Sequence, residues 1–188
     1  MWIVIVFVVL GIGWFLFWKY WHVQQPKNPI DTKNFHDLSI VDINGDKLSF
    51  DQFRGKKVLV VNIASRCGFT PQLGSLQNLY ELYHDRVEIL GVPCDQFLNQ
   101  SPENEADMRL FCERNYGVGF LLSEKVAVRG SDQHPVYQWL TRKVLNGSKN
   151  SVVKWNFQKY LIDKDGTLID MFGPNVEPFD EKLVNYLK

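Results

Sequence analysis

The apolar positions of the chain change period several times, and each period predicts a different element. Residues 1–18, MWIVIVFVVLGIGWFLFW, are apolar on every face and carry no charged side chain. Beyond them, Leu38 to Phe50 reads as two short apolar runs around Asn44-Gly45, a pair that accepts positive φ and so predicts a hairpin. Val58 to Ile63 is apolar and mostly β-branched apart from Asn62, as a strand buried on both faces would be. A turn over Ala64 to Pro71 follows, and then Leu73, Leu76, Leu79, Tyr80 and Tyr83 recur at helical spacing. Val87 to Val92 predicts a second largely buried strand closed by Pro93. Met108, Phe111 and Cys112 share one face of a helix over about Asn104 to Asn115, capped by Asn104 and stopped by Gly117. His134-Pro135 opens a further helix carrying Val136, Leu140 and Val144. Phe157 to Ile162 and Thr167 to Met171 flank Asp163-Lys164-Asp165-Gly166 as a second hairpin, and Pro178 precedes a last helix bearing Phe179, Leu183 and Leu187.

A β-α-β core followed by a hairpin and a terminal helix predicts an α/β domain of thioredoxin-like fold, preceded by an N-terminal β-hairpin. The chain divides into residues 1–21, a single transmembrane helix; residues 22–36, a short linker stiffened by Pro26 and Pro29; and residues 37–188, the domain. Eighteen helical residues span roughly 27 Å, about the thickness of the hydrocarbon layer. Trp14, Trp18, Tyr20 and Trp21 gather at one end of the run, where indole and phenol rings favour the interface. A cleaved signal peptide fits less well, because no basic residue precedes the run and large aromatics follow Gly11-Ile12-Gly13. Lys19, Lys27 and Lys33 all follow the span, which directs the domain to the cytoplasmic side as a single-pass membrane protein.

Composition removes other classes. The 21 Lys plus Arg balance 21 Asp plus Glu, so there is no basic excess for binding nucleic acid. Three cysteines are too few for a disulfide-stapled scaffold, and the four histidines fall in no metal-ligand spacing. No glycine-rich phosphate loop or dinucleotide fingerprint is present.

Cys67 is the leading candidate for chemistry. It stands between a buried strand and a helix, where helix N-terminal amides stabilise a thiolate. Thr70 occupies the position at which a dithiol motif would have its second cysteine, so Cys67 reads either as a one-thiol nucleophile or as a small buried hydrophobe. The neighbouring segments decide between these. Asn62-Ile63-Ala64-Ser65-Arg66-Cys67-Gly68-Phe69-Thr70, then Gly91-Val92-Pro93-Cys94-Asp95-Gln96-Phe97 with Gln100, then Trp155-Asn156-Phe157 resemble, in order, the signatures of the glutathione peroxidase family. The resemblance runs from about Leu38 to Lys188.

It implies a thiol-dependent peroxidase acting on hydrogen peroxide and on organic or lipid hydroperoxides. Cys67 would be peroxidatic, with Gln100, Trp155 and Asn156 around it as neutral hydrogen-bond donors. In family members that use thioredoxin, a resolving cysteine lies on the helix after the Gln segment, at or near the place of Cys112. The implied course is a Cys67 sulfenic acid, then a Cys67–Cys112 disulfide reduced by thioredoxin or glutathione, with no cofactor and no metal. Cys94 reads as structural. Leu98 and Ser101 depart from the family pattern, which often has Gly and Glu there. A membrane-tethered peroxide sensor that passes oxidation to a partner is the alternative. A thioredoxin-like copper-delivery or cytochrome-maturation factor is disfavoured by Thr70 and by the lack of a histidine near Cys67.

Overall fold

The computed structural model describes residues 26–188. The predicted membrane span, residues 1–21, lies outside them, and no helix of the described residues is long and apolar enough to cross a membrane. Residues 26–36 lie against the domain: Lys27 N donates to Ser131 O at 2.6 Å, Ile30 N to Gln138 Oε1 at 3.2 Å, and Gln138 Nε2 to Asn28 O at 2.8 Å.

The N-terminal hairpin forms β1 (Ser39–Val41) and β2 (Lys47–Ser49), with Gly45 at φ 97° in the turn. The central sheet contains β3 (Lys57–Ile63), β4 (Val87–Pro93), β5 (Leu121–Leu122), β6 (Lys159–Ile162) and β7 (Leu168–Phe172) in the order β5-β4-β3-β6-β7. β4 is parallel to β3 and to β5, whereas β6 is antiparallel to β3 and β7. The helices are α1 (Gln72–Tyr83), α2 (Glu105–Tyr116), α3 (Pro135–Thr141), α4 (Lys143–Asn146) and α5 (Glu181–Val184).

The alternation along β3 builds two cores. Val58 and Val60 face a cluster with Phe35, Phe50, Tyr137 and Trp139, from the hairpin region and α3. Leu59, Val61 and Ile63 face the other, with Leu73, Leu76, Met108, Cys112 and Leu183 from α1, α2 and α5. A two-sided strand of this kind must be apolar throughout, as its sequence is.

Most of the predicted boundaries lie within two residues of those observed. Asn104 caps α2 by accepting from Asp107 N, and Gly117 ends it at φ 65°. Three differences have local causes. Val144 is not on the apolar face of α3, because extended Arg142 separates α3 from α4 and leaves Val144 73% exposed. The second hairpin begins at Lys159 rather than Phe157, since Phe157 takes φ 65° and belongs to a turn. The terminal helix is one turn long and leaves Phe179 exposed.

Candidate active site

The topology brings three segments to one edge of the sheet. Parallel β3 and β4 end there, and antiparallel β6 starts there. The turn after β3 holds Cys67, the loop after β4 holds Gln100, and the turn before β6 holds Trp155 and Asn156.

Cys67 is 8% exposed in a series of tight turns leading into α1: Thr70 N donates to Cys67 O at 3.0 Å and Gln72 N to Phe69 O at 2.9 Å. The amide of Phe69 donates toward Cys67 Sγ at 3.5 Å, placing a partial positive charge against the sulfur. Thr70, at the position where a dithiol motif would have its second cysteine, locks the turn through its hydroxyl. Its Oγ1 accepts from Cys67 N at 3.0 Å and donates to Ala64 O at 2.9 Å.

The Gln100 loop is clamped to the Cys67 turn through its backbone, since Gln100 O accepts from Arg66 N at 2.9 Å and from Ser65 Oγ at 3.3 Å. Glu103 adds a second clasp by accepting from Ser65 Oγ and, at 3.1 Å, from Arg66 Nε. Burial works against the charge on Glu103, but Ser65 and Arg66 outweigh it and hold the carboxyl below the ordinary glutamate value. A carboxylate two residues beyond Ser101 thus ties this loop down. Ser101 is itself buried, its amide donating to Asp95 Oδ1 at 3.0 Å.

The third segment meets the second directly. Asn156 Nδ2 donates to Gln100 Oε1 at 2.9 Å, which leaves Gln100 Nε2 without a hydrogen bond among the described residues. Asn156 Oδ1 is buried and also has no partner among them. Trp155 is half-buried and bridges both cores, its ring 5.5 Å from that of Phe97 and inclined by 50°.

Two residues position this turn that sequence reasoning did not single out. Asn62, fully buried on β3, donates to Trp155 O at 3.1 Å and accepts from Gln158 N at 3.2 Å, while its carbonyl accepts from Phe157 N at 2.6 Å. Lys159, fully buried on β6, donates to Phe157 O at 2.9 Å and to Gln72 Oε1 at 2.7 Å. It therefore links the Trp155–Phe157 turn to the first turn of α1, below Cys67. The signal for each was a polar residue inside a predicted strand, Asn62 within Val58 to Ile63 and Lys159 within Phe157 to Ile162.

The three cysteines are unpaired. Cys112 lies in the same apolar cluster as Cys67, fully buried in the middle of α2, and burial pushes its thiol up to about 12. Cys94 lies in the opposite cluster. Among the described residues there is no group of His, Cys, Asp or Glu arranged to hold a metal.

Known proteins resemble this chain over most of its length. A glutathione peroxidase family model matches residues 35–141. A glutathione peroxidase of Lactococcus lactis is 48% identical over 146 residues, 77% of this chain and 92% of that protein. The glutathione peroxidase-like peroxiredoxin 2 of Saccharomyces cerevisiae is 41% identical, over 78% of this chain and 91% of its own length. Among solved structures, Trgpx in apo form superposes with a TM-score of 0.63 at 34% identity, covering 82% of this chain and 95% of that one. A thiol:disulfide interchange protein of Chlorobium tepidum, at TM-score 0.57 and 15% identity over 85% of this chain and 98% of that one, shares the thioredoxin-like fold alone. With a matching domain model and relatives aligned along nearly their whole lengths, the chain belongs to the glutathione peroxidase family.

Proposed function

We propose that Cys67 is the peroxidatic nucleophile of this thiol-dependent peroxidase, with Gln100, Trp155 and Asn156 as the groups that bind and polarise the peroxide. The observation that carries this reading is the Asn156–Gln100 hydrogen bond, made by a loop whose carbonyl is fastened to the residue before Cys67. With Oε1 occupied, Gln100 presents its Nε2 as a donor. Neutral donors stabilise the alkoxide or hydroxide that leaves as the O–O bond breaks, without delivering a strong acid to the thiolate. The sulfur takes one peroxide oxygen and becomes a sulfenic acid; the other oxygen departs and is protonated to alcohol or water.

Cys112 is the proposed resolving thiol. Its sulfur attacks the Cys67 sulfur, a disulfide forms and the sulfenic oxygen leaves as water; thioredoxin, or glutathione, then reduces the bond. A fully buried thiol held up at about 12 is a poor nucleophile where it stands, so this step requires α2 to open. The apolar stretch at residues 1–18 supports a single-pass tether with the domain on the cytoplasmic face, which would place the site beside lipid hydroperoxides.

Reduced protein treated with hydrogen peroxide and mapped by mass spectrometry tests the scheme. Wild type is expected to yield the Cys67–Cys112 disulfide with a rise in amide exchange across residues 104–116, and Cys112→Ser to stop at oxidised Cys67. Full turnover by Cys67→Ser would overturn the assignment. The sensor reading has no observation in its favour.

A further inference from the structure

Glu103 ties the helix that carries Cys112 to the turn that carries Cys67. It directly precedes Asn104, the cap of α2, and its carboxylate reaches back to the two residues before Cys67. Oε2 accepts from Ser65 Oγ, and Oε1 from Arg66 Nε at 3.1 Å. The Glu103 side chain is only 18% exposed, so solvent screens this clasp less than it would an open surface pair. The far end of α2 is closed by its own cap, Gly117 N donating to Glu113 O at 2.9 Å and Val118 N to Cys112 O at 3.3 Å. The near end is the one that a charged contact binds to the nucleophile's own turn.

We infer that Glu103 is a positioning residue for the resolving step, a latch that keeps α2 closed and so sets the rate at which Cys112 reaches oxidised Cys67. This deepens the proposed function and rests on the resolving role of Cys112 given there. Cys112 is fully buried in the middle of α2, so it is released only when the first turns of the helix unwind. Unwinding from that end carries Asn104 and Glu103 with it and breaks both contacts of the carboxylate, each of which is charge-assisted. A carboxylate beside a helix N-terminus also favours the wound form. The thiol is held back in the same direction: burial is the main cause of its raised value, and the carboxylates of Glu113 and Glu103 add to it. Once the latch opens, the Cys112 sulfur bonds to the Cys67 sulfur, the S–O bond breaks, and the sulfenic oxygen leaves as water with the thiol proton. The peroxide step does not need the latch, because Gln100 O accepts from Arg66 N at 2.9 Å whether or not Glu103 is present.

The test uses the reduced full chain in neutral detergent as wild type, Glu103→Ala and Glu103→Gln. Hydrogen peroxide is added for a single turnover, samples are quenched and alkylated, and mass spectrometry follows the free Cys67 thiol and the Cys67–Cys112 disulfide separately. Amide exchange is measured on the reduced proteins without peroxide. Glu103→Ala is expected to form the disulfide roughly tenfold faster once Cys67 is oxidised, to exchange roughly tenfold faster across residues 104–112 alone, and to lose the Cys67 thiol within about twofold of the wild-type rate. Glu103→Gln keeps the shape and an acceptor oxygen without the charge; it is expected to lie between the two, and it carries the test if the alanine variant does not fold. Disulfide formation at an unchanged or lower rate in the variants would overturn the latch, as would exchange that rises evenly across the domain. If wild type itself forms no Cys67–Cys112 disulfide, the resolving role of Cys112 falls and the latch with it; a disulfide that forms equally fast in all three proteins removes the latch alone.

Discussion

Replacing Lys159 with methionine separates the charge of this residue from the space it fills. The ammonium is wholly buried, and burial pulls its pKa from 10.5 to about 8, with the Glu177 carboxylate opposing the fall. At ~1.36 kcal/mol per pKa unit, that depression means roughly 3 kcal/mol of stability forgone at neutral pH. Between about 8 and 10.5 the unfolded chain binds the proton and the folded one releases it. Folding there becomes more favourable as pH rises, and linkage gives a gain of about 2 kcal/mol from pH ~7 to pH ~9.5.

The wild-type profile alone would blur this gain. Cys112 and Tyr160, both raised to about 12, pull the other way above their ordinary values of 9.0 and 10.0. The difference between wild type and Lys159→Met cancels their part. Urea unfolding of both proteins at the two pH values, followed by tryptophan fluorescence, measures it. The wild type is expected to gain about 2 kcal/mol on the variant at the higher pH. Parallel pH profiles would refute the reasoning. The variant also leaves Phe157 O and Gln72 Oε1 without this donor, and the released Trp155–Phe157 turn is expected to lower kcat/KM for hydrogen peroxide by roughly tenfold to a hundredfold.

Two further outcomes follow from the backbone around the site. Leu98 is 78% exposed yet sits at φ 55°, so Leu98→Gly loses little burial and relieves a left-handed conformation. Strain of ~1–2 kcal/mol, set against the greater unfolded freedom of glycine, leaves a net gain of about 0.5–1 kcal/mol. Calorimetry should record Tm about 1–4 °C higher, and a lower Tm would count against the strain. Asn62→Ala removes two side-chain hydrogen bonds from a buried strand position, leaving Trp155 O and Gln158 N unsatisfied. A loss of about 2–4 kcal/mol in urea unfolding is expected, together with loss of peroxide turnover; a stable, fully active variant would exclude its positioning role.

What the sequence discloses about this molecule is what neighbouring residues settle among themselves. The Asn104 cap, the Gly45, Gly117 and Gly166 turns, and the all-apolar β3 are each decided within a few positions, and each is legible. β5 is not, because two residues carry no period. It exists because Gly91 lets Leu122 lie against β4, where an added Cβ would come within 2.8 Å of a Leu122 methyl. Phe157 reads as the first residue of a strand, since nothing local favours positive φ in an aromatic residue. That conformation is imposed by Asn62 and Lys159, the former 95 positions earlier in the chain and the latter on the adjacent strand. The candidate site divides in the same way. The groups of Cys67, Gln100, Trp155 and Asn156 are displayed in recognisable segments, whereas the residues that hold those segments together act through pairings that only the folded sheet creates. Asn62 and Lys159 each look like an exception to a strand pattern until β3 and β6 are paired. Once paired, the two support opposite sides of the same strained turn, so replacing Lys159, which lies outside every motif, can still disassemble the site.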